Sequence, residues 1–524
     1  MTDRPVVVVT GGGAGIGAAV AEELGRQGTH VVTLDPLVSL DGSEQLPAPE
    51  ETTAGRIVAG GGSAQASTAS VTDRDGVRTL FDELVAEHGR LDAVVNVAGI
   101  SRPTSFAGGL EEDWRGVVEV HLDGYLNVLA AALPLMAAAG HGRILGVTSG
   151  SGWRAADTGA YGCAKRAVAS LTWQLGAAAP AGVTVNAMSP IAVTRMVTAA
   201  LGRAPATGAK GGSTATGGLS LGSMPEPAEI GPIGAYLAGE AFAWCSGEVV
   251  FAGGSEVAIV DRPRLLEVVR TDGVGSLPHL LDAVGPGLLA KAEAAQAAGG
   301  GSNPRFGEAF AQAAGDLDGP AARRCLVVSD RPALAAAVRT ALEARGIGAV
   351  GDLDEADALV VAMAEPTTSP GGAPWQQILA EHAGLPGRIV DDAAWARRAS
   401  DAGRPIRLVT LTDATTSGGR SRGQSAAHHA RMSRKATEDR VAAFAVSIEA
   451  PDADGPAAEL AAHLVGHPDA PALSGAELVV GPGWLGLRSH PRPTGSIVLG
   501  RATVPDWLDG TLRAVVGARP EGTR

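Results

Sequence analysis

Tyr161 and Lys165 stand four residues apart in Tyr161-Gly162-Cys163-Ala164-Lys165, a short way after Thr148-Ser149 and far downstream of Thr10-Gly11-Gly12-Gly13-Ala14-Gly15-Ile16-Gly17. On a helix, positions i and i+4 share a face, so the Lys165 ammonium can sit beside the Tyr161 phenol and favour its ionised form. A phenol of ordinary pKa about 10 then becomes an acid and base usable near neutrality. A lone Tyr-x-x-x-Lys arises often by chance and usually marks a solvated helix face. Joined to a glycine-rich turn and an upstream serine, it becomes a catalytic constellation. Thr148 and Ser151 compete with Ser149 for the hydroxyl role; Ser149 is preferred because a residue just past a strand end faces the crevice.

Such groups need a scaffold. The first 260 residues alternate strand-like and helix-like segments, as a parallel sheet covered by helices requires. Residues 5–10 (Pro-Val-Val-Val-Val-Thr) are a continuous β-branched run, typical of a strand buried on both faces. Further strands are predicted over 30–35, 91–97, 143–148, 183–189 and 248–251, with amphipathic helices over 111–138 and 158–178. Residues 194–224 are rich in Gly, Ala, Ser and Thr and read as a long loop, the expected lid over a substrate.

Glycines directly after a first strand let the backbone turn sharply and approach a pyrophosphate, whose charge is met by the N–H groups and dipole of the following helix. Gly11, Gly15 and Gly17 follow Val6 to Val9 and open an Ala-rich helix that includes Ile16. Asp35 ends the second strand, where a carboxylate can accept hydrogen bonds from both adenosine ribose hydroxyls and would repel a 2′-phosphate. No Arg or Lys lies from Thr10 to Glu22 to offset that repulsion, so NAD(H) is expected over NADP(H).

With these segments, residues 1 to about 260 resemble the classical short-chain dehydrogenase/reductases. The matching stretches are Thr10-Gly11-x-x-x-Gly15-x-Gly17, Asn96-Val97-Ala98-Gly99, Ser149, Tyr161-x-x-x-Lys165, Asn186-Ala187 and Pro190 to Thr194. The resemblance implies a doubly wound, Rossmann-like parallel sheet and an NAD(H)-dependent oxidoreductase that interconverts a secondary alcohol and a ketone. Hydroxyacyl thioesters, steroids and terpenoids are the candidate substrates. It also implies that Asn96, Ala98 and Gly99 close the adenine and ribose side, that Lys165 holds the nicotinamide ribose hydroxyls, and that Val193 and Thr194, after Pro190, contact the carboxamide and phosphates. Ser149 would polarise the carbonyl or alcohol oxygen while Tyr161 exchanges its proton.

The chain departs from that family in four places. Ser70-Val71 stands where Asp-Val commonly contacts adenine, Val97 replaces a second asparagine, and Pro190-Ile191 replaces Pro-Gly. His121, in Val120-His121-Leu122-Asp123-Gly124, takes the position of an asparagine that anchors a relay water. An imidazole titrates near neutrality and can end such a relay; a helix histidine bonded to a backbone carbonyl is the other reading. Arg102, Trp153 and Arg154 fall in loops at the carboxyl edge of the sheet, where ligands of such folds bind. An arginine there can hold an anionic group or simply be solvated.

From residue 321 the alternation restarts, with strands predicted over 324–329, 358–364, 406–411 and 441–449 and helices over 332–345 and 425–440. The chain is read as a tandem repeat: 1–260 a catalytic NAD-binding domain, 261–320 a helical connector, and 321–524 a degenerate copy lacking the cofactor motif. Ser329-Asp330-Arg331-Pro332 stands where a phosphate loop belongs, no Tyr-x-x-x-Lys follows, and His428-His429 read as a solvated pair. The family usually dimerises through the two long helices flanking the active-site strand, so a fused copy is expected to supply that partner within one chain. Two chains would then form a homodimer equivalent to a tetramer of such domains. The competing reading is a non-catalytic NAD-binding scaffold or sensor.

A formal net charge of -14 and a pI near 5.3 argue against a nucleic-acid partner, which would need Lys and Arg to neutralise phosphates. Cys163, Cys245 and Cys325 are too scattered for a disulfide framework or a metal cluster and read as small buried hydrophobes in a reducing compartment. Only Met1 to Arg4 precedes the first strand, and no apolar run approaches the ~20 residues of a membrane helix. A cytoplasmic protein with a small-molecule substrate and no membrane partner is expected.

Overall fold

The computed structural model describes residues 4–154, 156–203, 224–296, 322–365 and 371–517. The run Val-Val-Val-Val-Thr forms β1 (Val6–Thr10), buried along its whole length, because strands with helices on both faces need apolar residues on both. The other strands of the first half are β2 (His30–Leu34), β3 (Ser63–Ser67), β4 (Ala93–Asn96), β5 (Gly142–Val147), β6 (Val183–Pro190), β7 (Val249–Gly253), β8 (Glu256–Asp261) and β9 (Leu265–Arg270). Those of the second half are β10 (Arg324–Ser329), β11 (Gly348–Val350), β12 (Ala358–Ala362), β13 (Ile406–Asp413), β14 (Val441–Ile448), β15 (Glu477–Gly481), β16 (Trp484–Arg488) and β17 (Arg492–Val498).

Among the described residues these build two sheets, one of nine strands in the order β17-β8-β7-β6-β5-β4-β1-β2-β3 and one of eight in the order β11-β10-β12-β13-β14-β15-β16-β9. From β3 to β7 and from β11 to β15 all pairings are parallel. The order of the second sheet repeats that of the first, less one edge strand. The switch point between β1 and β4 is where ligands of open α/β sheets bind.

The ends of the two sheets are exchanged. The chain leaves β8 in the first sheet and continues as β9 in the second; it leaves β16 in the second and returns as β17 in the first, with β17 antiparallel to β8 and β9 antiparallel to β16. The helices that follow are exchanged too. Leu277–Val284 lies on the second half, where Asp282 accepts from Arg345 at 2.9 Å and sits 2.9 Å from His463 Nδ1. Leu508–Gly517 lies on the first, with Leu508 and Leu512 in its core and Asp509 accepting from Tyr236 and Trp244. The stretch 261–320, expected as a helical connector, therefore supplies a strand and helices to the second half; residues 297–321 lie outside the described residues.

A shared core joins the halves. Helix Gly159–Ala178 packs on Ser417–Ala430, and Glu111–Val118 with Gly124–Ala139 on Pro374–His382 and Leu385–Asp401. Gln174 meets Ser417 and Ser421 at one end, and Cys163 meets Ser425 toward the other, so the two central helices run antiparallel. Gly162 is required there: a Cβ would collide with His428. His428 and His429, expected to be solvated, are buried in this seam, because the face they occupy is covered by a segment more than two hundred residues away. The continuous helical run Glu111–Ala139 has an 18-residue window of mean hydropathy 1.4, long and apolar enough to cross a membrane, contrary to the sequence reading; half of that window is buried within the protein.

Residues 1–260 expressed alone are expected to aggregate or self-associate on size-exclusion chromatography. They would lose β17, the helix Leu508–Gly517 and the whole cover of helix Gly159–Ala178, exposing apolar surface worth ~25 cal/mol per Å2. A stable monomer would show that the first half needs neither exchange nor cover.

Candidate active site

The glycine turn lies between β1 and helix Gly15–Arg26. Gly17 has no room for a Cβ against the Gly11 carbonyl, and Gly15 adopts φ +57° with open space toward Thr194. The helix has neither a side-chain cap nor an acidic residue in its first turn, so its N–H groups and dipole are left for an anion. Thr10 ties the turn to β4: its hydroxyl donates to Asn96 Oδ1 at 2.9 Å and accepts from Val97 N and Ala98 N. Asp35, just past β2, accepts from Gly13 N at 3.0 Å and Leu37 N at 2.9 Å, which leaves each oxygen a further lone-pair direction.

Around this crevice stand the other expected cofactor residues. Ser70 bonds Thr72, and Asn127 donates to the Val71 carbonyl at 3.0 Å. Gly99 packs against the His121 ring. After β6 ends at Pro190, Val193 N donates to Pro225 O, and Thr194 accepts from Val197 N at the start of helix Arg195–Arg203. Asn186 is a brace: Nδ2 donates to Cys245 O and Oδ1 accepts from Glu248 N, joining β6 to the turn before β7. Most of the expected lid over 194–224 falls outside the described residues, which stop at 203 and resume at 224.

The hydroxyls separate cleanly. Thr148 Oγ1 donates to the Lys165 carbonyl at 2.6 Å, and Ser151 Oγ accepts from Arg154 at 2.7 Å. Ser149 is left as the hydroxyl that acts on the Tyr161 phenol, drawing its pKa down, and its Oγ accepts from Ser151 N at 3.2 Å. Lys165 Nζ donates to Val147 O at 2.6 Å and lies 5.7 Å from the Tyr161 ring centroid. Burial lowers its pKa to about 7. Burial also pushes the Tyr161 phenol above the ordinary tyrosine range, and the groups pulling it back are Ser149 and the Arg154 guanidinium. Arg154, which the sequence marked only as one of two loop arginines, is thus a second cation acting on the phenol, besides Lys165 near its ring. Arg102 is committed elsewhere, donating to the backbone carbonyls of Asp41 and Glu112. Trp153 is buried among Trp173, Phe251 and Val260.

His121 sits in a single π-helical turn, Glu119–Asp123, which swings its ring edge-on to Tyr161 at 5.0 Å between centroids. Its Nε2 lies 2.8 Å from the Ile100 carbonyl. Burial, with Lys165 nearby, lowers its pKa to about 3. The imidazole is neutral throughout the working pH range, so the expectation of a relay end that titrates near neutrality is not met; the backbone-bonded reading is the observed one.

A parallel sheet with a glycine turn at its switch point and a Ser-Tyr-Lys group across the crevice defines a nucleotide-dependent α/β oxidoreductase. The family pattern described as short chain dehydrogenase matches residues 5–204. The chain is 32% identical over 256 residues to the short-chain reductase protein NovJ of Streptomyces niveus, covering 48% of this chain and 94% of that protein. It is 33% identical over 257 residues to the cis-4-hydroxycyclohexanecarboxylate dehydrogenase of Sinomonas cyclohexanicum, covering 48% and 97%. A crystal structure of a short chain dehydrogenase from Mycobacterium avium aligns over 49% of this chain and 84% of that one, at 31% identity and a TM-score of 0.40. The chain belongs to the short-chain dehydrogenase/reductase family, whose members use a nicotinamide cofactor.

Proposed function

We propose that the first half is an NAD(H)-dependent oxidoreductase interconverting a secondary alcohol and a ketone. The observation that carries this is the convergence of Ser149, Tyr161 and Lys165 beside the glycine turn. A nicotinamide, when bound, would supply or accept the hydride at the substrate carbon. In the reducing direction, Tyr161 Oη gives its proton to the carbonyl oxygen as that carbon gains hydride, and the phenol is left as tyrosinate. Ser149 Oγ would hold the same oxygen, while Lys165, its ammonium positioned by Val147 O, would hold the ribose hydroxyls. His121 keeps the Ile100 carbonyl in place and the ring of Tyr161 upright.

The proposed preference for NAD(H) rests on Asp35, just past β2, where a carboxylate would repel a 2′-phosphate, with no cation on the adjoining turn to compensate.

We read the second half as a degenerate copy that serves as the first half's fused partner. Three observations support this. Helix Ser417–Ala430, which occupies the place of Gly159–Ala178, carries no Tyr-x-x-x-Lys. After β10, Asp330 is spent on Ala364 N, at 2.6 Å, and Arg331 bridges the crevice to Asp454 at 2.9 Å. Deeper in, Arg422 is locked between Asp392 and Glu365. Two such chains would give a homodimer with two competent sites.

Titration with NADH and NADPH tests the reading. One NADH per chain is expected, bound at least about tenfold tighter than NADPH, a difference of ~1.4 kcal/mol, with Asp35→Ala narrowing the gap. Equal affinities would refute the role of Asp35; two nucleotides per chain would refute the degenerate copy. NADH binding without hydride transfer to any ketone of a broad panel would favour the scaffold reading.

A further inference from the structure

The second half touches both loops that wall the crevice of the first. Arg397 donates to Gly109 O at 2.7 Å, and His429 lies against Phe106 and Trp114, with ring centroids 4.7 and 5.2 Å apart. Phe106 and Gly109 belong to the segment between β4 and helix Glu111–Val118. On the other wall, Arg431 Nη1 donates to the Trp153 carbonyl at 2.8 Å. Arg431 is 6% exposed, and a guanidinium is not taken out of water cheaply.

The peptide it holds joins Trp153 to Arg154. After Ser149 the chain makes one tight turn, in which Gly152 N donates to Ser149 O and Arg154 N to Gly150 O, both at 2.9 Å. The Trp153 ring is anchored in the first half's core, whereas its carbonyl is anchored only by the second half's arginine among the described contacts. Arg154 follows immediately, fixed by Ser151 and close enough to the Tyr161 oxygen for their charges to interact. Two groups lie against that ring, Lys165 from the same helix and His121 from the π turn, and two more act on its phenol, Ser149 from beyond the end of β5 and Arg154 from this turn. Arg431 in turn is faced by Glu293, and its charge reaches His428 and His490.

We propose that Arg431 is a positioning residue for the other half's acid/base group: by holding the Trp153 carbonyl it sets the turn after Ser149, and so fixes the place of the Arg154 guanidinium, whose charge reaches the Tyr161 phenol. The second half is then more than a cover for apolar helices. Its kinetic consequence rests on the proposed role of Tyr161; its effect on the phenol does not.

The chain has three tyrosines, so phenol ionisation can be read directly as tyrosinate absorbance in stopped-flow pH jumps on the full-length protein, faster than alkaline unfolding. The transition missing in Tyr161→Phe is that of Tyr161. Arg154→Gln is expected to raise its midpoint by about 1 unit, the loss of one nearby opposite charge. Arg431→Met is expected to raise it in the same direction, Arg431→Lys, which offers a single point donor in place of the fork, by less. The double variant Arg154→Gln, Arg431→Met is expected to add nothing to Arg154→Gln alone, because both act through one group. A wild-type midpoint in Arg431→Met, or additive shifts in the double variant, would overturn the proposal. Should Arg431→Met not fold, Arg431→Lys is read by the same criteria. No substrate enters the measurement, so an absence of ketone reduction would sink the proposed activity and leave the positioning role of Arg431 standing.

Discussion

Tyr161→Phe is expected to lower turnover on the order of a thousandfold while NADH still binds with affinity changed less than about twofold. The ring makes the packing contacts: it stands edge-on to His121 and in reach of Lys165 Nζ, and phenylalanine keeps both. Only Oη goes, and with it the proposed proton donor to the substrate oxygen. Neither neighbour can replace it. The His121 Nε2 is engaged with Ile100, and the imidazole is neutral at working pH. Lys165 directs its ammonium at Val147 O. Single-turnover oxidation of NADH alongside equilibrium binding separates the two effects, and near-normal turnover would remove Tyr161 from the chemistry.

The proposed Ser-Tyr-Lys group can be picked out in the sequence because its signals are local. Val6 to Val9 announces a buried strand, the glycines announce the turn that ends it, and Ser149 stands just past the strand end that the sequence predicts at Thr148, two residues beyond the end of β5. What is illegible depends on distant partners. His428 and His429 look like a solvated pair in any window of the sequence, yet the face that covers them includes Gly162, Phe106 and Trp114. Leu265–Arg270 alternates too weakly to be told from a connector, because its partner β16 lies more than two hundred residues on. The π turn at Glu119–Asp123 inserts into a helix whose hydrophobic pattern continues through it, so periodicity does not register the step that carries His121 to the phenol. Helical spacing assigns the tuning of that phenol to Lys165, but spacing fixes only a shared face and says nothing of the burial that lowers the ammonium's own pKa.

The second large effect is expected on acidification. Burial lowers the pKa of His382, His429 and His463 to about 4 and that of His121 to about 3, and takes His428 well below the ordinary histidine value. In the unfolded chain each titrates near 6.5, so between that pH and the folded values the unfolded state binds more protons, and stability falls as pH falls. At pH 5 each such histidine removes about 2 kcal/mol, the distance from 6.5 at 1.36 kcal/mol per unit. Asp123 and Asp157 act with the opposite sign: burial raises both to about 6, so the folded state gains protons there first, worth about 1.4 kcal/mol each at pH 5. The histidines are more numerous and the net is a loss of several kcal/mol, a large share of the 5–15 kcal/mol typical of a folded domain. His382, His428 and His429 all lie on the second half's side of the seam, His382 bonded to Ser421 Oγ at 2.8 Å, which in turn donates to Ser170 Oγ across it. Protonation therefore strikes where helix Ser417–Ala430 meets Gly159–Ala178, and the halves should part before either core melts. Urea unfolding at pH 7.5 and pH 5, followed by tryptophan fluorescence and by NADH binding, is expected to show a much lower midpoint at pH 5. An unchanged midpoint would mean that these imidazoles are not held neutral and that the seam is wetter than the packing of Gly162 against His428 describes.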